Sequence, residues 1–319
     1  MTGSADGPGS ADGPGAGRFA PSPSGDLHIG NIRSGLLTYA RARQTGRRFL
    51  WRIEDLDRVR PGSAESQLAV FAELGVRPDE EPLIQSERLE IYARAVADLD
   101  EAGLVYECYC SRKDIAQAPS APHAPPGAYP GTCRNLGAGE RDEQRRRLAA
   151  NGRQPALRLR TDNREHHVDD VLLGRVGAVV DDFVLRRGDG VFAYNLTVVV
   201  DDGASGVDEV VRGDDLASSA PRQAYLARLL GIRDPEWVHV PLVLSSERKR
   251  LAKRDGAVTY QQLCAQGWTR GDVFAWMQRS LGLAETGGEW TDIDAMVAGA
   301  DFDRLDRAPA IFIPPAEPA

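Results

Sequence analysis

A strand, a turn rich in glycine and proline, a helix and a second strand follow one another near the start of the chain. The strand is predicted at "RFAP" from Arg18, the turn at 21–31, the helix at 31–46 and the second strand at 47–55. A strand, a helix and a strand within about 40 residues form a βαβ unit, whose strands are parallel. This unit predicts an α/β fold built on a parallel sheet, with ligands bound at the carboxyl ends of the strands.

Later segments continue the alternation of strands and helices. A helix is predicted at 86–102, and two strand-like runs flank the turn "GDG" within 182–202. Two further helices are predicted at 222–232 and 270–283. The α/β pattern therefore extends over most of the chain.

The composition is typical of a soluble globular protein with one large or two medium domains. The 319 residues are 42% hydrophobic and 27% charged, and the net charge of -8 argues against a nonspecific nucleic-acid coat but not against a local basic groove. No apolar run reaches the roughly 18 residues that span a bilayer, and the first residues lack the pattern of a signal peptide. Four cysteines in a chain of this length do not suggest a disulfide framework. We expect a cytoplasmic monomer that does not bind membranes.

The turn at 21–31 has the features of a phosphate-binding loop. Gly25 and Gly30 allow the backbone to approach a ligand closely, and the start of the next helix offers unpaired N–H groups to a phosphate. His28 lies in this turn, and Asn31 is expected to cap the helix. The alternative is an ordinary turn in which the histidine only caps the helix.

The string "RFAPSPSGDLHIGN" resembles the signature of the class I aminoacyl-tRNA synthetases, and its first half resembles their glutamate and glutamine branch. The resemblance implies a Rossmann-type catalytic domain, in which His28-Ile29-Gly30-Asn31 stands for the HIGH motif with Asn as its fourth residue. It also implies ATP as substrate, with Mg2+. The implied ATP-binding residues are Pro21, His28, Gly30, Asn31 and Lys253, and the implied catalytic residues are His28, Gly30 and Lys253.

A second motif of this family is matched at 245–257. The string "SSERKRLAKRDGA" lies where the KMSKS loop belongs, but it has Arg250 for the first lysine and Ala252 for the serine. Of 39 basic side chains only three are lysine, and two of these, Lys249 and Lys253, lie in this loop. Attack of a carboxylate on the α-phosphorus of ATP needs positioning and charge stabilisation, and a compact ammonium suits a moving phosphate. Lys253, with Lys249 or Arg250, would supply that charge, although a solvated charge run is the alternative.

The resemblance also implies a pocket for glutamate. Arg18 is expected to pair with a substrate carboxylate and Glu54 with the substrate ammonium, each at the end of a strand. Taken alone, each charged residue is also explained by a surface ion pair, and the tyrosine by packing. Several arginines together favour glutamate over the neutral glutamine. The implied set is Arg18, Ala20, Ser22, Glu54, Tyr194 and Arg212.

Three cysteines and a tyrosine form a candidate zinc site. The pattern is C-x-C at Cys108 and Cys110, then Y-x3-C at Tyr129 and Cys133, and it resembles the structural zinc site of the same family. On general chemistry His123 is the better fourth ligand, so Tyr129 rests on the resemblance alone. Cysteines without a metal are the remaining alternative.

The resemblance covers residues 18 to about 285 and favours one branch of the family. Only about 65 residues follow Lys253, which is too few for the helical anticodon-binding domain of glutamyl-tRNA synthetases. The chain therefore resembles the truncated paralogues, the glutamyl-queuosine tRNA(Asp) synthetases, which transfer activated L-glutamate to queuosine at the wobble position of tRNA(Asp). A glutamyl-tRNA synthetase fragment that charges an acceptor end, and a binding protein without catalysis, are the alternatives.

The expected segments follow from these motifs. Residues 1–17 repeat "SADGPG" and are expected to be a disordered tail. The others are the first catalytic half (18–104), an insertion with the zinc site and an RNA-facing surface (105–180), the second catalytic half with the KMSKS-like loop (181–257) and a short helical region without an anticodon-binding domain (258–319). Within the insertion, 141–160 carries seven arginines against two acids, which predicts either a phosphate-binding surface or a solvated helix face.

Overall fold

The computed structural model describes residues 14–117, 129–251, 258–284 and 288–314. The strands are β1 (Ala16–Phe19), β2 (Arg48–Ile53), β3 (Leu83–Ile84), β4 (Val105–Cys108), β5 (Ala156–Leu159), β6 (Glu165–Asp170), β7 (Gly174–Val179), β8 (Val184–Arg186), β9 (Val207–Gly213), β10 (Glu236–Val240), β11 (Val243–Leu244) and β12 (Ala310–Ile311). The helices are α1 (Ile29–Gln44), α2 (Ser63–Glu73), α3 (Leu89–Glu101), α4 (Arg112–Gln117), α5 (Ala138–Ala149), α6 (Tyr194–Ala204), α7 (Ala220–Leu229), α8 (Tyr260–Ala265), α9 (Arg270–Ser280) and α10 (Ile293–Gly299). None of the described helices is long and apolar enough to cross a membrane.

The central sheet has the strand order β3-β2-β1-β9-β10-β6-β7. Its neighbouring strands are parallel except in the β6–β7 hairpin. The chain builds outward from β1 to β3 on one side, and later adds β9 and β10 on the other, so the order reverses between β1 and β9. Open α/β sheets bind ligands at such a reversal, beyond the carboxyl ends of the strands. The predicted α/β fold with a parallel core is confirmed.

Helix α1 covers one face of this sheet with its apolar stripe. Its side chains Ile32, Leu36 and Leu37 are fully buried. Gly35 is required where α1 meets α2, because a Cβ atom there would overlap the ring of Phe71. The close approach of these two helices seals the core beside the first strand-to-helix turn.

Two predicted boundaries near the start of the chain were wrong. Strand β1 begins at Ala16, inside the expected tail, because its backbone pairs with β2 and β9. Of the expected tail, only residues 14 and 15 are described and precede β1, and residues 1–13 lie outside the described residues. Helix α1 begins at Ile29 with His28, not Asn31, as its N-cap. The imidazole accepts a backbone N–H as a shorter polar cap would, which propensity alone does not reveal.

The segment 182–202 contains one strand where two were predicted. Strand β8 is followed by a turn and then by helix α6, whose residues from Leu196 to Asp202 are all buried. The β-branched run "TVVV" suggested a strand, but α6 packs against α3, α7 and β9, and this burial overrides the local preference. Tyr194 consequently begins a helix and does not end a strand. The sequence prediction also missed helix α2.

The expected bounds of the insertion, 105 and 180, do not match the way in which the strands pair. Strands β6 and β7 belong to the central sheet, whereas β4, β5 and β8 form a small antiparallel sheet. A division at residue 180 therefore separates β8 from its own partners. Such long-range pairing leaves no mark in local sequence.

Candidate functional site

The turn between β1 and α1 is held in place by its own polar groups. Nδ1 of His28 accepts a hydrogen bond from the backbone N–H of Asn31 at 3.2 Å, and the N–H of Glu54 donates to the carbonyl of Pro21 at 3.4 Å. A Cβ atom on Gly30 would lie 3.2 Å from the His28 ring and 3.3 Å from Val243. The cap therefore fixes the imidazole plane at the helix N-terminus, where an anion is stabilised. Capping and phosphate binding are compatible roles for this histidine.

The KMSKS-like segment is described only up to its centre. Arg250 forms an ion pair with Asp215 at 2.6 Å, and Lys249 pairs with Glu247 at 2.7 Å. The Arg250 and Lys249 side chains are largely exposed, so these pairs contribute little stability. Lys253 and Ala252 lie outside the described residues.

Arg18 of β1 and Arg52 of β2 share one buried carboxylate, close to where the strand order reverses. Asp202 of α6 accepts from Nε of Arg18 at 3.1 Å and from Nη1 of Arg52 at 2.5 Å. Burial alone would raise the pKa of Asp202, but the two guanidinium groups hold it below its ordinary value. Asp202 therefore stays ionised and keeps both arginines in fixed positions.

Glu54 follows β2 directly and lies beside these arginines. Its Oε1 atom is 3.2 Å from Nη2 of Arg52. Burial raises the pKa of Glu54 above its ordinary value, and the charges of Arg52 and Arg18 oppose that rise. A substrate ammonium placed here would favour the ionised carboxylate.

Arg212 lies near the carboxyl end of β9, and uncharged groups hold it. Its nitrogens donate to Nε2 of His239 at 3.0 Å, to Oε1 of Gln223 at 2.8 Å and to the carbonyl of Leu216 at 3.2 Å. The guanidinium also packs over the ring of Trp237 at 5.0 Å. Burial lowers the pKa of Arg212, which means that the protein stabilises its positive charge poorly. A buried cation without an ionic partner among the described residues is suited to bind an anion.

The other predicted glutamate residues lie around this cluster. Tyr194 is 40% exposed, and its hydroxyl lies close enough to Arg212 to oppose the lowering of the arginine pKa by burial. Ala20 and Ser22 are half-buried in the turn after β1, and the carbonyl of Ser22 accepts from Gln67 at 3.2 Å. The structure thus brings the predicted residues to one edge of the sheet.

Four residues of this candidate site were not predicted from the sequence. Arg52 had a usable signal, since it precedes Glu54 by two residues and therefore shares its face of β2. Asp202, Gln223 and His239 had none, because each meets its arginine only after distant segments pack together.

The candidate zinc centre is a compact group of three thiols and one phenol. The Sγ atoms of Cys108, Cys110 and Cys133 lie within 4.8 Å of one another, and Cys110 and Cys133 are 3.6 Å apart. The hydroxyl of Tyr129 is 3.5 Å from Sγ of Cys108 and 4.0 Å from that of Cys110. Zn–S bonds of about 2.3 Å in a tetrahedron place sulfurs roughly 3.8 Å apart, so the four donors fit a zinc ion.

The surroundings favour a thiolate at one of the four donors, Cys108, and raise the pKa values of Cys110, Tyr129 and Cys133. Hydrogen bonding from Cys133 lowers the pKa of Cys108 to about 5, and Arg158, which packs 3.7 Å from the centre of the Tyr129 ring, acts in the same direction. Cys108, Tyr129 and Cys133 are buried. The alternative ligand His123 lies outside the described residues.

The arginine-rich segment 141–160 is divided between two tasks. Arg158 is buried and donates to the carbonyl of Asp182, while Arg160 packs over Tyr106 and Arg145 pairs with Glu107. The remaining four are exposed on or after α5, namely Arg141, Arg146, Arg147 and Arg153. The seven arginines therefore do not form one surface.

Comparisons with known proteins identify the family of the chain. The family described as tRNA synthetases class I (E and Q), catalytic domain, matches residues 16–308. The chain is 56% identical over 297 residues to the glutamyl-Q tRNA(Asp) synthetase of Nocardia farcinica, covering 93% of each chain. It is 48% identical over 275 residues to the protein of that name from Cutibacterium acnes, covering 85% of this chain and 77% of the relative.

A solved structure extends the similarity to the fold. The glutamate tRNA ligase of Elizabethkingia meningosepticum, crystallised in complex with its amino acid, aligns with a TM-score of 0.74 and 26% identity. The alignment covers 94% of this chain and 67% of that one. The chain therefore belongs to the glutamyl-Q tRNA(Asp) synthetase family within the class I (E and Q) tRNA synthetases.

Proposed function

We propose that this chain activates L-glutamate with ATP and transfers the glutamyl group to queuosine at the wobble position of tRNA(Asp). The observation that carries the amino-acid assignment is Arg212, a buried cation that donates its hydrogen bonds to uncharged groups and forms no ion pair among the described residues. The names of the curated relatives support the choice of glutamate and of tRNA(Asp).

The charges of the cluster complement those of glutamate. The cluster has four arginines and three carboxylates, which leaves one positive charge: Arg18, Arg52, Arg88 and Arg212 against Glu54, Asp201 and Asp202. Glutamate has a net charge of -1 at neutral pH, whereas glutamine has none, so the cluster favours the acid. In the proposed complex Arg212 and Arg18 hold the side-chain carboxylate, and Glu54 holds the ammonium.

Activation then requires the α-carboxylate to attack the α-phosphorus of ATP and displace pyrophosphate. Gly30 and the N-terminus of α1 lie where phosphate oxygens would be stabilised, with His28 fixed beside them. Lys253 would neutralise charge on the departing pyrophosphate. The protein supplies position and charge, and no side-chain nucleophile is needed.

We infer that zinc, held by Cys108, Cys110, Tyr129 and Cys133, stabilises the small sheet. Four protein ligands leave no open position for catalysis. Arg146 and Arg147 on α5 are exposed near this centre and are the proposed contacts to tRNA phosphates. Contacts of that type weaken as salt concentration rises.

Two assays test the proposal. Exchange of labelled pyrophosphate into ATP should require glutamate and should proceed without any tRNA, because the proposed ATP and glutamate residues lie in one catalytic unit. Transfer of labelled glutamate should occur to tRNA(Asp) that contains queuosine and not to unmodified tRNA(Asp).

Other results would identify another function. Charging of unmodified tRNA(Glu) at its acceptor end would indicate a glutamyl-tRNA synthetase activity. Binding of glutamate without pyrophosphate exchange would indicate a synthetase-like binding protein. Exchange that strictly requires tRNA would contradict the tRNA-independent activation.

A further inference from the structure

Three side chains on adjacent strands form a buried chain of hydrogen bonds that ends on Arg212, and we call it the relay. Asp170 ends β6, His239 lies in β10, and Arg212 is the register partner of His239 in β9. Oδ2 of Asp170 is 2.6 Å from Nδ1 of His239, and Nε2 of His239 is 3.0 Å from Nε of Arg212. The side chains of Asp170 and His239 are 0% exposed.

The two contacts of His239 permit one protonation state. Nε of arginine always carries a hydrogen and donates, so Nε2 of His239 must accept. The proton of the neutral ring therefore lies on Nδ1 and is donated to Asp170. A second proton on the ring would place an N–H group against the N–H of Arg212 and break the relay.

The charged groups around His239 come from three elements. Burial lowers its pKa, and Arg212 on β9 acts in the same direction, while Asp170 on β6 and Asp214 after β9 oppose them. The net direction is downward from 6.5, so the ring is neutral at neutral pH.

Asp170 is itself fixed by the backbone. Its Oδ1 accepts from the N–H groups of Leu172 at 2.9 Å and Leu173 at 2.8 Å, and its Oδ2 accepts from the N–H of His239 at 3.0 Å. The carboxylate therefore has a fixed position, and it sets the plane of the His239 ring. On the other side of Arg212, Gln223 is held in turn by Asn195 at 3.1 Å.

An imidazole does what a carboxylate could not do at this position. A carboxylate here would hold Arg212 but offset its positive charge, as Asp202 partly does for the two arginines that it holds. Neutral His239 instead accepts from Nε of Arg212 and leaves the positive charge of the guanidinium for a ligand. We propose that His239, oriented by Asp170, is a positioning residue that presents Arg212 to the side-chain carboxylate of glutamate and thereby favours glutamate over glutamine. This inference rests on the proposed function, in which Arg212 binds that carboxylate.

Steady-state pyrophosphate exchange tests the inference on the full chain. In His239→Phe, which keeps a flat ring without an acceptor, we expect the KM for glutamate to rise about tenfold, since a hydrogen bond to a charged group is lost. The kcat and the KM for ATP should stay within about twofold, and the preference for glutamate over glutamine should fall with the glutamate KM. His239→Gln, whose Oε1 can accept from Arg212, should restore the glutamate KM.

The pH profile separates positioning from a structural effect. The wild-type KM for glutamate should rise at acid pH, as the pH falls through the lowered pKa of His239, because protonation of the ring breaks the relay. His239→Gln should lose this part of the profile, while any effect of Glu54 stays in both proteins. His167→Gln, an exposed change on β6, is the matched control and should behave as wild type.

Four results would overturn the inference. A glutamate KM in His239→Phe within about twofold of wild type, together with strong loss in Arg212→Lys, would remove the relay and leave the proposed function intact. An unchanged glutamate KM in Arg212→Lys would overturn the relay and the glutamate pocket together. Equal changes in kcat and in both KM values would indicate only a structural role. If His239→Phe does not fold, the comparison of pH profiles between wild type and His239→Gln decides, and identical acid limbs overturn the inference.

Discussion

Asp202 accepts a hydrogen bond from Nε of Arg18 at 3.1 Å across 184 residues of intervening sequence. The contact joins helix α6 to the first strand of the sheet, and Asp202 also holds Arg52. One buried carboxylate thus fixes two of the three arginines in the proposed glutamate pocket, and the third is left to neutral groups.

Replacing Asp202 by Asn should destabilise the fold and disturb the pocket. Removing this carboxylate leaves the buried Arg18 without its counter-charge and weakens the pairing of Arg52, which keeps Glu54, and the loss costs about 3 kcal/mol. Urea denaturation should show this loss. Asp142→Asn, at an exposed pair with Arg145, is the control and should leave the midpoint unchanged. Equal midpoints for the two variants would contradict the assigned role of Asp202.

Glu209 should make the protein less stable as the pH rises from about 4.5 to about 7. Burial raises its pKa to about 7 and a hydrogen bond with Glu236 acts in the same direction, although Arg47 and Arg41 oppose the rise. The folded protein then holds a proton that the unfolded chain has lost above pH 4.5, so this stabilisation disappears as the pH rises through 7. Denaturation at several pH values should show a smaller slope in Glu209→Gln. The exposed control Glu90→Gln should keep the wild-type slope, and an unchanged slope in Glu209→Gln would refute the assignment.

His28→Asn should separate the two roles of this histidine. Asparagine is a good N-cap, so the free energy of unfolding should stay within about 0.5 kcal/mol of wild type. Pyrophosphate exchange should nevertheless fall by about 100-fold, because the imidazole beside the phosphates is lost. His28→Ala should lose both the cap and the activity. Near-normal exchange in His28→Asn would mean that the residue only caps α1.

Lys253→Ala should slow glutamate activation without weakening glutamate binding. Loss of a charge partner in the transition state costs roughly 2 to 4 kcal/mol, which corresponds to about 30- to 1000-fold in rate. The readout is the kcat of pyrophosphate exchange beside the KM for glutamate. Lys113→Ala removes an exposed lysine of α4 and is the control. Exchange within about threefold of wild type would show that Lys253 has another role.

Purified protein should contain one zinc ion per chain. Metal analysis of Cys133→Ser should show its loss, and Tyr129→Phe should weaken binding, because both remove a donor of the four-atom group. Cys264→Ser, on the exposed cysteine of α8, is the matched control and should keep the metal. Loss of zinc should reduce transfer to tRNA more than adenylate formation.

Two results bear on the fourth zinc ligand. His123→Ala should retain the metal if Tyr129 is the ligand. Loss of zinc in that variant alone would assign the position to His123. Absence of zinc from wild-type protein prepared without chelators would reject the centre.

The residues of the first βαβ unit were predictable because their signals are local. Turn glycines, the histidine and the apolar stripe of α1 lie within one short string, and their chemistry does not depend on distant segments. The cysteine pattern was equally local, and its donor atoms lie close together in the structure. The assignment of metal and of ligand roles stays a prediction.

Other features depended on long-range packing. Helix α6 contradicts its own β-branched sequence because helices and the sheet surround it, and β8 pairs with β5 across an intervening hairpin of the central sheet. Local propensity is weaker than burial, so these elements could not be predicted from their own residues.

The sequence by itself determined the α/β class, the family and most of the residues that line the candidate site, because short motifs with fixed spacing specify them. Only the tertiary structure decided how the arginines differ. Arg18 and Arg52 form ion pairs with Asp202, whereas Arg212 meets His239 and Gln223 and forms no ion pair among the described residues. In sequence the three arginines are chemically equivalent, and they become different because folding brings a carboxylate to two of them and neutral acceptors to the third.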